Sequence, residues 1–363
     1  LPLAARSPRG MRQSTAALLL LVLLVLLVVP RSAAAYSVLT HEAMIDAAWA
    51  DHLEPLLKRR FPRSSAIELR TARAYAYGRS LIQDLGYHPF GSKFFSNLAQ
   101  YVRSGDFVEA LVRKARDVNE YAFALGALAH YTSDTVGHPI AVNRAVPIMY
   151  PKLHAKHGPE VLYADSPSRH VMVEFAFDVL QVGRGRFTSD AYQSLIGFEV
   201  ALPVLERAFR ANYGLELQQV FGDVERAVGT YRWAVSQLIP DLTRAAWKDQ
   251  EDKIFTMTRA QYEQAFGTNY RKPGFLARMV VAIFKVIPKF GPFKPLSFEP
   301  LTPETERLFL ESFERSLARY RGSLDTIRAG RLALGDADLD TAGRRRSAPT
   351  RWRMKPPWNT KRS

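Results

Sequence analysis

The sequence predicts an all-α protein, a single multi-helix domain, and three observations carry that prediction. Apolar residues recur three and four positions apart in stretch after stretch, which is the helical period. No segment alternates apolar and polar residues for a useful length, and no internal repeat is found. Helix start signals precede several of these stretches, Thr40 near the beginning and Thr302-Pro303 towards the end.

The elements follow in order. Thr40 is placed to cap a helix starting near His41, with Ile45, Trp49, Leu53, Leu56 and Leu57 as its apolar side and Pro62 beyond its end. Residues 66–81 read as a second helix. The stretch 83–91, rich in turn formers, reads as an irregular loop. Short helices are expected over 94–102 and 107–116, and the central helix over 119–135, ending near Gly137 with Pro139 beyond it. Residues 142–168 hold several prolines and are expected to form a long ordered loop. Helices over 170–182, 203–213, 217–247 and 302–327 complete the set; the last carries Leu310, Phe313, Leu317 and Tyr320 as a core stripe. Residues 274–300 are apolar and punctuated by Arg278, Lys285, Lys289 and Lys294. Such a segment can lie in a membrane interface or pack as core.

Three regions divide the chain: a signal peptide over 1–35, a helical domain over 36–342 and a basic disordered tail over 343–363. Arg6, Arg9 and Arg12 precede an apolar run over 16–29, Pro30 breaks it, and Ala33-Ala34-Ala35 offers a small-residue cleavage site. The run is shorter than the ~18 apolar residues of a spanning helix. Met11 is the expected initiator and Tyr36 the expected mature N-terminus, which implies a secreted or periplasmic protein. The net charge of +15 is concentrated at the two ends. Residues 1–35 hold four arginines and no acids, and 343–363 hold eight Lys/Arg and no acids, so 36–342 carry only +3. Bulk charge therefore gives no argument for nucleic acid. The chain has no cysteine, so no disulfide can form and no thiolate can bind metal.

The chemistry is concentrated in two sets of four-residue spacing. His130, Asp134 and His138 stand one helical turn apart, as do His170 and Glu174. Imidazole nitrogens and carboxylate oxygens are the ligands of hydrolytic zinc sites. Each pair alone is weak, because i,i+4 pairs also form ordinary structural contacts. Their order along the chain is more specific: Tyr36, His41, Asp84, then the His130 set, then the His170 set.

That order resembles the zinc-dependent phospholipase C family, also called the phospholipase C/D domain, to which single-strand-specific zinc nucleases are related. The resemblance runs from about Tyr36 to Asp178. It implies an all-helical domain with a metal cleft holding up to three zinc ions. One ion would be held by Tyr36 (through its free amine and carbonyl), His41 and Asp134. A second would be held by Asp84, His130 and Asp134, and a third by His138, His170 and Glu174. It also implies metal-assisted phosphodiester hydrolysis, with Asp84 orienting or deprotonating the attacking water. The chain departs from the family pattern at two points. His138 follows Asp134 closely, which calls for a sharp turn at Gly137. Gln100 stands where the family has a histidine, and glutamine is a poor zinc ligand; His88 is the nearest substitute.

The function expected is a secreted zinc-dependent phosphodiester hydrolase, a monomeric phospholipase C whose partner is a phospholipid or membrane surface. A zinc nuclease or nucleotidase on the same scaffold is the second reading, with Tyr87, Phe90 and Tyr131 as base-stacking residues. A degenerate zinc-binding non-enzyme is the third.

Overall fold

A computed structural model describes residues 37–183, 198–239, 243 and 301–343. Tyr36, the expected signal peptide, the segment 274–300 and the basic tail lie outside the described residues. Helices dominate, and no strand occurs among the described residues. None of the described helices is long and apolar enough to cross a membrane.

The first helix, α1, spans Val38–Ala48 and continues through a widened π turn, Trp49–Leu53, into α2, Glu54–Arg60. It starts earlier than Thr40 suggests. Asp178 is the reason: its carboxylate accepts from the backbone N–H of Leu39 at 2.9 Å and of Thr40 at 3.1 Å, and from the Thr40 hydroxyl at 2.6 Å. A side chain distant in sequence thus fills the capping role, and Thr40 sits inside the first turn.

Helix α3, Ala66–Arg79, opens with a full capping box between Ser65 and Glu68. A tight turn, Ile82–Tyr87, then carries Asp84 where an irregular loop was expected. Helices α4, Lys93–Tyr101, and α5, Ser104–Lys114, lead to the central helix α6, Val118–Gly137, which Asp117 caps through the Glu120 N–H.

Past Gly137 the chain makes no sharp turn. Gly137 stays helical and a π turn, His138–Val142, passes directly into α7, Asn143–Met149. Pro139 has no N–H for the Thr135 carbonyl and its ring would crowd that oxygen in a regular helix; a widened turn relieves both. Helix α8, Pro151–His157, follows. The expected long loop is thus largely helical, with Pro151 at a first-turn position that needs no N–H.

Helix α9, Pro167–Gly183, carries His170, Glu174 and Asp178 one turn apart. Helix α10 spans Leu202–Tyr213. The single helix expected from 217 is broken: α11 covers Leu217–Val220, and α12, Val224–Trp233, restarts under an Asp223 cap and runs on as a π turn, Ala234–Leu238. Thr302 and Pro303 open α13, Pro303–Arg328, as the sequence signals. Gly330, at φ 69°, then reverses the chain; its N–H reaches the Ile327 carbonyl and the Arg331 N–H reaches that of Thr326. The chain leaves α13 as an extended strap, residues 331–343, that returns over the body of the molecule.

Helix α6 is the axis, packed chiefly between α3 and α13. Along it the larger apolar core reaches Tyr131, and a second core, containing Leu39, Val146, Phe177 and Phe309, begins at Ala141. His130, Asp134 and His138 occupy the interval between the two cores.

Candidate metal centre

Helices α1, α6 and α9, the π turn after α6 and the strap bring the chemical residues into that interval, where they divide into two buried groups. The first is His41, His130 and Asp134, with one potential ligand atom from each within 4.8 Å of the others. Asp134 is shared between the imidazoles: Oδ1 lies 3.5 Å from His41 Nε2 and Oδ2 lies 3.0 Å from His130 Nε2. The two rings stack at 4.7 Å between centroids. The Ser80 carbonyl 2.9 Å from His130 Nδ1 can only accept, so Nδ1 carries a proton and Nε2 is the nitrogen turned to Asp134. Burial lowers this imidazole, but Asp134 and Asp84 outweigh it and raise it above its usual range. Backbone oxygens orient metal-binding histidines in this way.

The second group is His138, His170 and Asp340, again within 4.8 Å. His170 Nε2 donates to the Val161 carbonyl at 2.6 Å, which leaves Nδ1 as its lone-pair atom. His138 Nδ1 lies 3.3 Å from Asp340 Oδ1. Burial pushes the His170 imidazole down to about 4, and burial, with His170 and His130 nearby, holds His138 well below its usual range. Both rings are therefore neutral at physiological pH, the form that binds metal.

Carboxyls surround these groups. Asp84 is buried, and its Oδ1 accepts from Gln100 Nε2 at 2.6 Å. Burial pushes its carboxyl up to about 7, with His130 pulling it down and Asp134 adding to the rise. Burial, with Asp84, Asp134, Asp340 and Asp178 nearby, holds Glu174 well above the usual carboxylate range.

These residues fit zinc. Buried imidazole nitrogen and carboxylate oxygen converge, and burial is the largest influence on the acids Asp84, Glu174 and Asp340. Such a set is costly unless positive charge enters it. Mixed nitrogen and oxygen donors favour zinc over magnesium or calcium, which take oxygen. Donor separations of 3.0–3.5 Å suit a small ion with bonds of ~2.0–2.2 Å.

Of the expected residues, His41, His130 and Asp134 meet in one group, and His138 and His170 in the other. Asp84 and Glu174 are buried and act electrostatically on this region but belong to neither close group. His130, Asp134 and His138, expected in one pocket, serve adjoining groups. Gln100 holds Asp84 in place. His88 does not replace a ligand; it packs edge-on against Tyr231 at 5.1 Å, with burial pushing it down to about 4. Asp340 was not anticipated. It lies beyond the last helix in Asp336-Ala337-Asp338-Leu339-Asp340, and the alternating acids there were its only signal.

A family model described as zinc dependent phospholipase C matches residues 40–222, half of the chain. The match includes His41, Asp84, Gln100, His130, Asp134, His138, His170 and Glu174, and stops well short of Asp340. No curated protein and no solved structure matches the chain.

Proposed function

Because the chain belongs to the zinc-dependent phospholipase C family, we propose that it is a secreted phospholipase C that hydrolyses the head-group phosphodiester of phospholipids. The observation that carries this reading is the pairing of that family match with two buried His/Asp groups that meet around the end of the central helix. Zinc bound there would supply positive charge for the phosphoryl oxygens and acidify water.

The chain's own residues would do the rest. Asp84 is the candidate general base. Its carboxyl, pushed up to about 7, suits proton transfer near neutral pH, and the Gln100 amide fixes its direction. Asp134 offers one oxygen to each of two imidazoles and would, with His41 and His130, hold zinc in that group. Cleavage would release diacylglycerol and a phosphorylated head group.

Two observations favour lipid over nucleic acid as substrate. Residues 36–342 carry only +3, a weak field for a polyanion. Tyr131, one of the expected stacking residues, is buried with its hydroxyl committed to the Gly335 carbonyl at 2.6 Å. The same reading gives Tyr36 a role as ligand once processing frees its amine.

The test loads metal-stripped protein with zinc and assays choline phospholipid vesicles beside single-stranded DNA. Zinc-dependent release of phosphocholine with DNA left intact is the expected result. DNA cleavage with no lipid hydrolysis would reassign the substrate. Protein loaded with zinc but inactive on both would leave a binding protein.

A further inference from the structure

The segment after α13 is held to the metal region more closely than a trailing end requires. Ser104 Oγ donates to the Ala337 carbonyl at 2.5 Å, and the Leu339 N–H donates to the Gln100 carbonyl at 3.1 Å. The Asp106 N–H donates to Asp336 Oδ1 at 3.0 Å. At the end of this run Asp340 is fixed at two points: Asn143 Nδ2 donates to its carbonyl at 2.8 Å and the Tyr163 N–H donates to its Oδ2 at 3.1 Å. Its remaining carboxylate oxygen, Oδ1, faces His138.

Three atoms then share one condition. Asp340 Oδ1, His138 Nδ1 and His170 Nδ1 are buried without a hydrogen bond. Buried polar atoms are rarely left so, because each costs ~1–3 kcal/mol. A carboxylate that merely oriented His138 would accept a hydrogen bond from Nδ1–H, and at 3.3 Å no such bond is formed. Three adjacent atoms left open are accounted for together by a cation between them.

We infer that the strap supplies a metal ligand, Asp340, to the ion held by His138 and His170, and that ion and strap lock each other in place. The inference rests on the zinc-dependent reading above and adds a ligand from outside the 40–222 family match. Coupling of this kind is reciprocal: whatever loosens the strap weakens the ion, and removal of the ion loosens the strap.

The experiment uses the full chain, stripped of metal and titrated with zinc. Bound zinc is counted after desalting, and hydrogen exchange is followed over residues 331–343. Wild type should exchange more slowly there with zinc than without. Asp340→Asn should bind one zinc fewer per chain and lose the zinc-dependent slowing. Gly105→Ala leaves every ligand intact, but the new Cβ would stand 2.3 Å from the Gly335 carbonyl oxygen and displace the strap. It should weaken zinc retention at one site by about fivefold or more. If Asp340→Asn fails to fold, wild-type exchange and Gly105→Ala still decide the matter. A full zinc count in Asp340→Asn, with an unchanged visible spectrum of its cobalt-loaded form, overturns the inference and leaves the hydrolase reading standing. So does strap exchange indifferent to zinc in wild type. Wild type that takes up no zinc overturns both.

Discussion

Asp84 and Asp340 carry carboxyls pushed up to about 7, in both cases chiefly by burial. Their ordinary value lies near 4, so between about 4 and 7 the metal-free fold holds protons that the unfolded chain has released. The contribution of these two groups to stability therefore falls as pH rises through that window. The depressed imidazoles of His138 and His170 work in the opposite sense below about 6.5, so the comparison belongs above that pH. Zinc requires the carboxylate form and should displace the protons. The gain in melting temperature on adding zinc is expected to be larger at pH 8 than at pH 6.5, and Asp84→Asn should narrow the difference. A gain independent of pH would contradict this assignment. His41, His130, Asp134, His138 and His170 were legible in the sequence because their spacing or order is unusual. Asp340 was not, because alternating acids after the last helix do not by themselves mark a metal site. The role of Gln100 was half legible. Its identity ruled out a zinc ligand, but only the fold shows its amide holding Asp84.

Among the elements, α1 depends on α9. Its first turn donates hydrogen bonds to Asp178, whose carboxyl burial pushes up to about 6 against the opposing pull of those bonds. Asp178→Ala would leave two buried N–H groups and a hydroxyl without an acceptor. A loss of about 2 kcal/mol or more is expected in denaturant unfolding. His41, on the same turn, should also lose its register, so zinc at the His41/His130/Asp134 group should fall. A variant with wild-type stability and zinc content would show that the cap is dispensable. The helix termini differ in how far local sequence foretold them. The Thr302-Pro303 start was readable because cap and first turn are adjacent in sequence. The α1 start was not, because its cap is 138 residues from Thr40. The 142–168 stretch misled for another reason: prolines signal turns, yet Pro151 occupies a first-turn position that needs no N–H and Pro147 lies inside the short helix α7.

At the scale of the whole molecule, the all-α class followed from periodicity alone, whereas the division of histidines between two groups required the path of the chain. Ligand candidates come from α1, α6, the adjoining π turn, α9 and the strap. Ions that bind only the native arrangement stabilise it by mass action, by ~4 kcal/mol when free zinc is a thousandfold above its dissociation constant. A chelator should therefore lower the melting temperature of the intact protein, and restored zinc should return it. A melting temperature unmoved by chelation would sink the idea. The absence of cysteine gives this dependence its meaning. Covalent sulfur bridges are one way of tying distant segments together, and this chain has no cysteine to form them. With His41 near one end of the described fold and Asp340 near the other, the ions would serve as its sutures, and they can be drawn out and replaced without breaking a bond in the backbone.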